Sequence, residues 1–151
     1  MRTLAGRTIL VTRPAEQAAP LVRELERRGA RVLVAPTIRI APARSAALNA
    51  ALKDLAAGRF DWITLTSQAT VDVLRGRLAS PRDVRARVAV IGDGTAAAFH
   101  RWTRRDPDLQ PATFTTAALA REFPRGSGRV LCARADIAPE GLEAAIARKG
   151  W

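Results

Sequence analysis

Three short polar stretches hold the groups best suited to chemistry: Thr12-Arg13, Thr66-Ser67-Gln68-Ala69 and Gly92-Asp93-Gly94-Thr95. A fourth place, Arg134, follows Cys132-Ala133. Each stretch stands directly after an apolar run and directly before a segment that reads as a helix. Residues in that position offer hydroxyls and unpaired backbone amides at a helix start, where the helix dipole also favours negative charge. Arginine adds a planar fork that fits a carboxylate. The chemistry on offer is therefore the grip of an anion.

Every one of these residues also has a plainer reading. Thr66 or Ser67 can serve only as an N-cap. Gly92-Asp93-Gly94-Thr95 can be a sharp turn capped by Asp93. An anionic Asp93 would oppose a substrate carboxylate, so Gly94 and Thr95 are the better binding candidates, with two glycines allowing close backbone approach. Arg13 and Arg134 are two arginines among many. No Gly-x-Gly-x-x-Gly spacing is present, which disfavours a nicotinamide site. His100 is the sole histidine and reads as exposed, with no neighbouring carboxylate or cysteine in the sequence to form a metal site or triad. Cys132 reads as a small core residue, and Phe60 and Trp62 as packing.

The elements that would hold these turns repeat one pattern. Arg7 to Val11 reads as a strand and Pro14 to Arg28 as a helix, with Pro14 in the first turn and Gly29 as a left-handed cap. Val32 to Ala35 is the next strand. Ser45, as N-cap, opens a helix to Ala57, followed by a strand over Phe60 to Leu65 and a helix over Ser67 to Leu78. Pro81 to Arg87 reads as a polar, charged loop. Val88 to Ile91, with a helix over Thr95 to Trp102, comes next, and Leu109 is placed in a short strand. Thr115 and Thr116 cap a helix reaching Phe123. Val130 to Ala133 is the last strand and Pro139 to Lys149 the last helix. Strand, polar turn and helix in alternation predict α/β architecture with a mostly parallel sheet. Such sheets bind ligands beyond the strands' carboxyl ends, where the four polar places fall.

Thr37-Ile38-Arg39-Ile40-Ala41-Pro42 alternates and carries prolines at both sides, as a connector does. A domain boundary is expected there. The last helix is followed by Gly150-Trp151 and no further strand. A βαβ unit buries its helix by returning to the sheet, so the chain is expected to be a fragment of a longer protein.

A chain of 151 residues with 48% hydrophobic content can form a domain with a real core. No apolar run reaches membrane-spanning length, and the N-terminus lacks the pattern of a secretory signal. One cysteine excludes an internal disulfide framework. The expected location is the cytoplasm. Net charge is +11, and Lys53 and Lys149 are the only lysines among 25 cations. Arginine-rich codon usage, a nucleic acid or a polycarboxylate ligand would each account for this. Nucleic acid is disfavoured because no binding motif accompanies the charge and aromatics are only 5%.

Five blocks taken in order, ILVTRPAEQAAPLVRELERRGARVLVAPTIRI, FDWITLTSQATVDVL, VAVIGDGTAAAF, PATFTTAALAREF and GRVLCARADIAPEGLEAAIARKG, resemble the uroporphyrinogen-III synthase family. The resemblance implies parallel-sheet, flavodoxin-like three-layer α/β domains: one nearly complete domain plus the first βαβ unit of a second. Residues 1–36 would be that first βαβ of domain one, 37–42 a linker strand, and 43–151 domain two without its last strand and its return to domain one. The substrate would lie in the cleft between the domains.

The family's activity, as the resemblance implies it, is a cofactor-free lyase reaction. Hydroxymethylbilane, a linear tetrapyrrole polycarboxylate, loses water, inverts its last ring and closes to uroporphyrinogen III. Thr12, Arg13, Thr66, Ser67, Gln68, Ala69, Gly94, Thr95 and Arg134 are the substrate-binding candidates, and no metal is expected. The family's usual general-acid candidate is a tyrosine, and this chain has none; the catalytic group is thus unassigned. Many members carry glycine after the Arg134 position, where this chain has Ala135. Members are monomers, although open strand edges in a fragment would allow self-association. The 151-residue chain itself is expected to be weakly active or inactive. A non-catalytic anion-binding α/β module is the alternative, and a basic nucleic-acid binder a more distant one.

Overall fold

A computed structural model describes residues 3–37, 45–134 and 141–151, the Glu16 side chain excepted. The chain separates into two compact units, residues 1–42 and 43–151. The expected linker strand over 37–42 lies, from residue 38 onward, outside the described residues.

In the first unit, β1 (Thr8–Val11) and β2 (Arg31–Val34) pair in parallel, with Thr8 opposite Arg31 and Val11 opposite Val34. The crossover is α1 (Ala15–Arg27). Pro14 is its N-cap rather than a first-turn residue, at φ −47° and ψ 137°. Pro20 lies inside the helix and removes one backbone donor there. Gly29, at φ 93°, turns the chain back toward the sheet. Val11, Ala18 and Ala30 are buried, whereas the register partners Leu10 and Leu33 remain exposed.

In the second unit, three parallel strands stand in the order β4-β3-β5. They are β3 (Trp62–Leu65), β4 (Arg87–Val90) and β5 (Val130–Ala133). The central strand β3 is buried at all four positions. Leu109 bridges to Ala89 in parallel fashion, outside β4. Period-two alternation sends Ile63, Leu65, Val88 and Val90 to one face. There they meet Leu52 and Leu55 of α2 (Ala46–Ala56), Val71 and Leu74 of α3 (Gln68–Arg77), and Phe99 of α4 (Asp93–Thr103). Trp62 and Ala89 belong to the opposite face, against Leu119 of α5 (Thr116–Glu122), the following Phe123, and Leu142 and Ile146 of α6 (Leu142–Ala147). The result is helix, sheet, helix: the α/β parallel sheet that the strand–turn–helix pattern predicts, in the three layers that the resemblance implies. Each buried Val, Leu, Ile or Phe side chain among them contributes about 1.5–3 kcal/mol.

The segment expected as a polar loop, Pro81 to Arg87, is more ordered than that. It holds a 3-10 turn over Pro81–Asp83, closed by a reciprocal cap between Ser80 and Asp83. The turn delivers Val84 and Ala86 into the first core while Arg82, Arg85 and Arg87 stay exposed. Charge dominates that stretch in the sequence, and its two apolar residues decide its packing.

Of the expected last helix, Pro139 lies outside the described residues, and the helix itself covers Leu142–Ala147. Gly150 takes φ 101° and lets Trp151 fold back. Its indole Nε1 donates to Pro124 O at 2.9 Å, and its ring meets Phe123 edge-on at 6.2 Å. No helix among the described residues is long and apolar enough to cross a membrane.

Phe99 is fully buried at the centre of the first core. Phe99→Ala is expected to cost about 3–5 kcal/mol, read as a lower urea midpoint; a loss under about 1 kcal/mol would contradict this packing.

Candidate anion-binding site

The carboxyl ends of the neighbouring strands β3 and β4 run directly into α3 and α4. After β3, half-buried Thr66 leads to Ser67, the N-cap of α3. Ser67 Oγ accepts from Thr70 N at 3.3 Å and lies 3.0 Å from Thr70 Oγ1. The amides of Gln68 and Ala69, in the first turn, have no preceding helical carbonyl to receive them. Both uses of the turn are thus compatible: the hydroxyl caps, and the two amides stay open.

After β4, α4 begins at Asp93, two residues before the expected start at Thr95. Gly92 is its N-cap and Asp93 does not cap it. The amides of Thr95 and Ala96 both close onto Gly92 O at 3.0 Å. Thr95 is only 7% exposed. The open donors of this turn are therefore the amides of Asp93 and Gly94. Asp93 Oδ1 accepts from Gln110 Nε2 at 2.7 Å, which holds the one carboxylate of this turn with a neutral donor.

One side chain joins the two turns. The Gln68 amide occupies the space beside the Gly94 Cα, so that a Cβ on Gly94 would collide with Gln68 Nε2 and stand 3.5 Å from its Cδ. Gly94 thus does more than bend the chain, because its missing side chain admits the Gln68 amide. On the other flank of the same turn, the Phe114 ring rests on Gly92. The structure brings Thr66, Ser67, Gln68, Ala69, Gly94 and Thr95 together in one unit, at one rim of the sheet.

Arg134 also follows the carboxyl end of a strand, β5, but its Nε is 2.6 Å from Glu143 Oε1 of α6 and its side chain is 17% exposed. Its guanidinium is already engaged by a carboxylate of the same unit. Thr12 and Arg13 follow β1 in the first unit and are exposed. Thr12 O accepts from Thr37 N at 3.2 Å.

His100 is exposed, as expected, but contrary to expectation a carboxylate is near: Nδ1 lies 2.8 Å from Asp106 Oδ1. The pair borders an open depression of about 560 Å³ that Arg101 and Gln110 also line. Among the described residues no group of three or more His, Cys, Asp or Glu could hold a metal ion. Phe114 and Gln110 were not visible as site residues in the sequence. Phe114 precedes the helix cap at Thr115, a place where an apolar residue ordinarily staples a helix, so nothing marked it for another role.

Cys132 stands opposite Thr64 in the β3–β5 register. Burial pushes its thiol up; the Thr64 hydroxyl opposes this, Glu143 adds to the rise and Arg134 lowers it. Among the described residues, Thr64 Oγ1 has no partner with full hydrogen-bond geometry, so the sulfur across the ladder is at most a weak one.

The family model described as "Uroporphyrinogen-III synthase HemD" matches residues 19–151. This chain belongs to the uroporphyrinogen-III synthase family. A relative from Synechococcus elongatus, "Uroporphyrinogen-III synthase", is 35% identical over 127 residues, covering 81% of this chain and 47% of the relative. A rice relative, "Uroporphyrinogen-III synthase, chloroplastic", is 31% identical over 123 residues, covering 78% and 40%. A crystal structure of a mutant uroporphyrinogen III synthase from the extremely thermophilic bacterium Thermus thermophilus matches with a TM-score of 0.68 at 18% identity, over 97% of this chain and 59% of that one. The wild-type form of the same protein gives a TM-score of 0.58. These structures share the fold. The chain spans about half the length, or less, of these two curated relatives.

A raised folded-state thiol makes stability complete below the ordinary cysteine range and lets it decline as pH rises through that range, where the unfolded thiol ionises first. Between pH 7.5 and 9.5, spanning the ordinary value of about 8.5, the urea midpoint of the wild type should fall more than that of Cys132→Ala. Equal declines would show that Cys132 contributes no such linkage.

Proposed function

We propose that this chain supplies the substrate-gripping turns of a uroporphyrinogen-III synthase, a lyase of tetrapyrrole biosynthesis. The substrate would be hydroxymethylbilane, whose four pyrrole rings carry acetates and propionates. The observation that carries the reading is the junction of α3 and α4, where the Gln68 amide fills the space left by Gly94. Four backbone amides (Gln68, Ala69, Asp93 and Gly94) and one side-chain amide then share a single rim.

Amides fixed at helix starts suit carboxylates because the donors and the dipole act together. They are rigid, so binding several carboxylates in one arrangement selects one conformer of a flexible chain. That is the main demand of the reaction. Without guidance the linear tetrapyrrole closes uninverted; held with its last ring turned, it closes to the type III isomer with loss of water. Orientation supplies the rate advantage here, as in other reactions where a near-attack geometry is prepared in advance. The Ser67 hydroxyl and half-buried Thr66 would complete the α3 side, and buried Thr95 would keep the α4 turn closed. Arg134 would act only by sharing its guanidinium between Glu143 and a ligand. Thr12 and Arg13, exposed in the first unit, would be that unit's donors to carboxylates. No residue is assigned as general acid, and the expected cytoplasmic setting belongs to this same reading.

Gly94→Ala tests the junction without disturbing the helix, since alanine is the better helix former. Titrating uroporphyrin III, followed by its own fluorescence anisotropy, should give saturable binding that the substitution weakens about tenfold, the order of one charge-assisted hydrogen bond. Unchanged affinity would contradict the site. Incubation of the 151-residue chain with hydroxymethylbilane, then oxidation and isomer separation, should give little or no type III product above the protein-free level; robust type III product would contradict the weak activity or inactivity expected of this chain. In a full-length protein, binding accompanied by type I product alone would favour a non-catalytic anion-binding module instead.

A further inference from the structure

We infer that Phe114 is a binding residue of this site, its ring forming a platform on which a pyrrole ring of the ligand stacks. The inference rests on the proposed tetrapyrrole reading and assigns it a subsite that the amides alone do not provide.

Phe114 is 53% exposed, whereas Phe99 and Phe123 are buried. Among the described residues of 45–151 it is the one large apolar side chain left mostly in water. A lone exposed apolar residue would need no explanation, but this one is held in place. Pro111 is buried, Ala112 N donates to Glu122 Oε2 at 3.3 Å, and Thr115 Oγ1 caps α5 by accepting from Ala118 N at 3.1 Å. The ring lies against Gly92, where a Cβ would stand 3.2 Å from Phe114 Cγ and 3.4 Å from Cδ2. Gly92 has φ −152° and ψ 171°, extended values open to any residue, so contact with the ring, and not the backbone conformation, is what its missing side chain serves.

The α4 turn is consequently flanked by two unlike surfaces, the Gln68 amide at Gly94 and the Phe114 ring at Gly92. A ligand carrying carboxylates on a flat, electron-rich heterocycle matches that pairing. The carboxylate meets open amides, and the ring meets a second ring in an offset stack. A non-aromatic polycarboxylate would use the amides and gain nothing from Phe114.

The test compares wild type, Phe114→Leu, Gly92→Ala and Phe114→Trp, with uroporphyrin III and the non-aromatic tricarballylate as probes. Phe114→Leu and Gly92→Ala should each weaken uroporphyrin binding about three- to tenfold, the order of one aromatic stack. Phe114→Trp should retain it, and tricarballylate affinity should stay level across the series. Thermal melting checks that the variants are folded. Wild-type binding of uroporphyrin with an unchanged Phe114→Leu would overturn the stacking role and leave the proposed function standing. Failure of the wild type to bind uroporphyrin would overturn both.

Discussion

The contact between the Gln68 amide and the bare Cα of Gly94 links the first turns of α3 and α4, and the proposed function rests on it. Parallel strands place consecutive helix starts side by side, but adjacency alone leaves two separate turns. A side chain at position 94 would hold the Gln68 amide away. With glycine there, the Gln68 side chain of α3 packs against the first turn of α4. The two cores beneath fix it, since β3 is buried along its whole length and both faces of the sheet are covered.

The charges of the chain are arranged around these two helix starts more than on them. Net charge is +11, yet neither helix start carries an arginine. Arg134, at the carboxyl end of the neighbouring strand β5, is tied to Glu143. Asp93, the acid on the rim, receives a hydrogen bond from Gln110. Other cations sit at the opposite end of the strands: Arg87 lies over the Trp62 ring at 4.5 Å, and Arg129 over the Phe60 ring at 4.6 Å while pairing with Asp54. Hydrogen bonds from Arg129, and also from Arg59, hold the Asp54 carboxyl below its ordinary range. Much of the arginine thus braces the structure through stacking and ion pairs, and the proposed grip on the ligand relies on amides.

The fold was legible because its signals are periodic or local. Val130–Ala133 emerged with its expected bounds, Ser45 and Thr115 cap as their positions demanded, and the other strands and helices shifted by a residue or two at their ends, except the last helix, which starts at Leu142 and not at Pro139. Helix starts are hard to fix from sequence when the N-cap is glycine, as at Gly92, since no side chain marks it. The 81–87 segment misled because three arginines outweigh Val84 and Ala86 in composition, while burial is decided residue by residue. At the site, the turns could be named from their type alone. Their union could not, because it depends on Gln68 reaching across to another helix. The pairing of His100 with Asp106 escaped for a similar reason: the acid arrives from a loop six residues on.

The central claim is that backbone donors at the carboxyl ends of β3 and β4 hold a polycarboxylate. Its most direct test is a nuclear magnetic resonance titration of the 15N-labelled chain with uroporphyrin III, reading the amides individually. The account requires the largest shifts at Gln68, Ala69, Asp93 and Gly94, saturating together. Shifts concentrated at the other rim, around Asp61, Arg87 and Arg129, would contradict it.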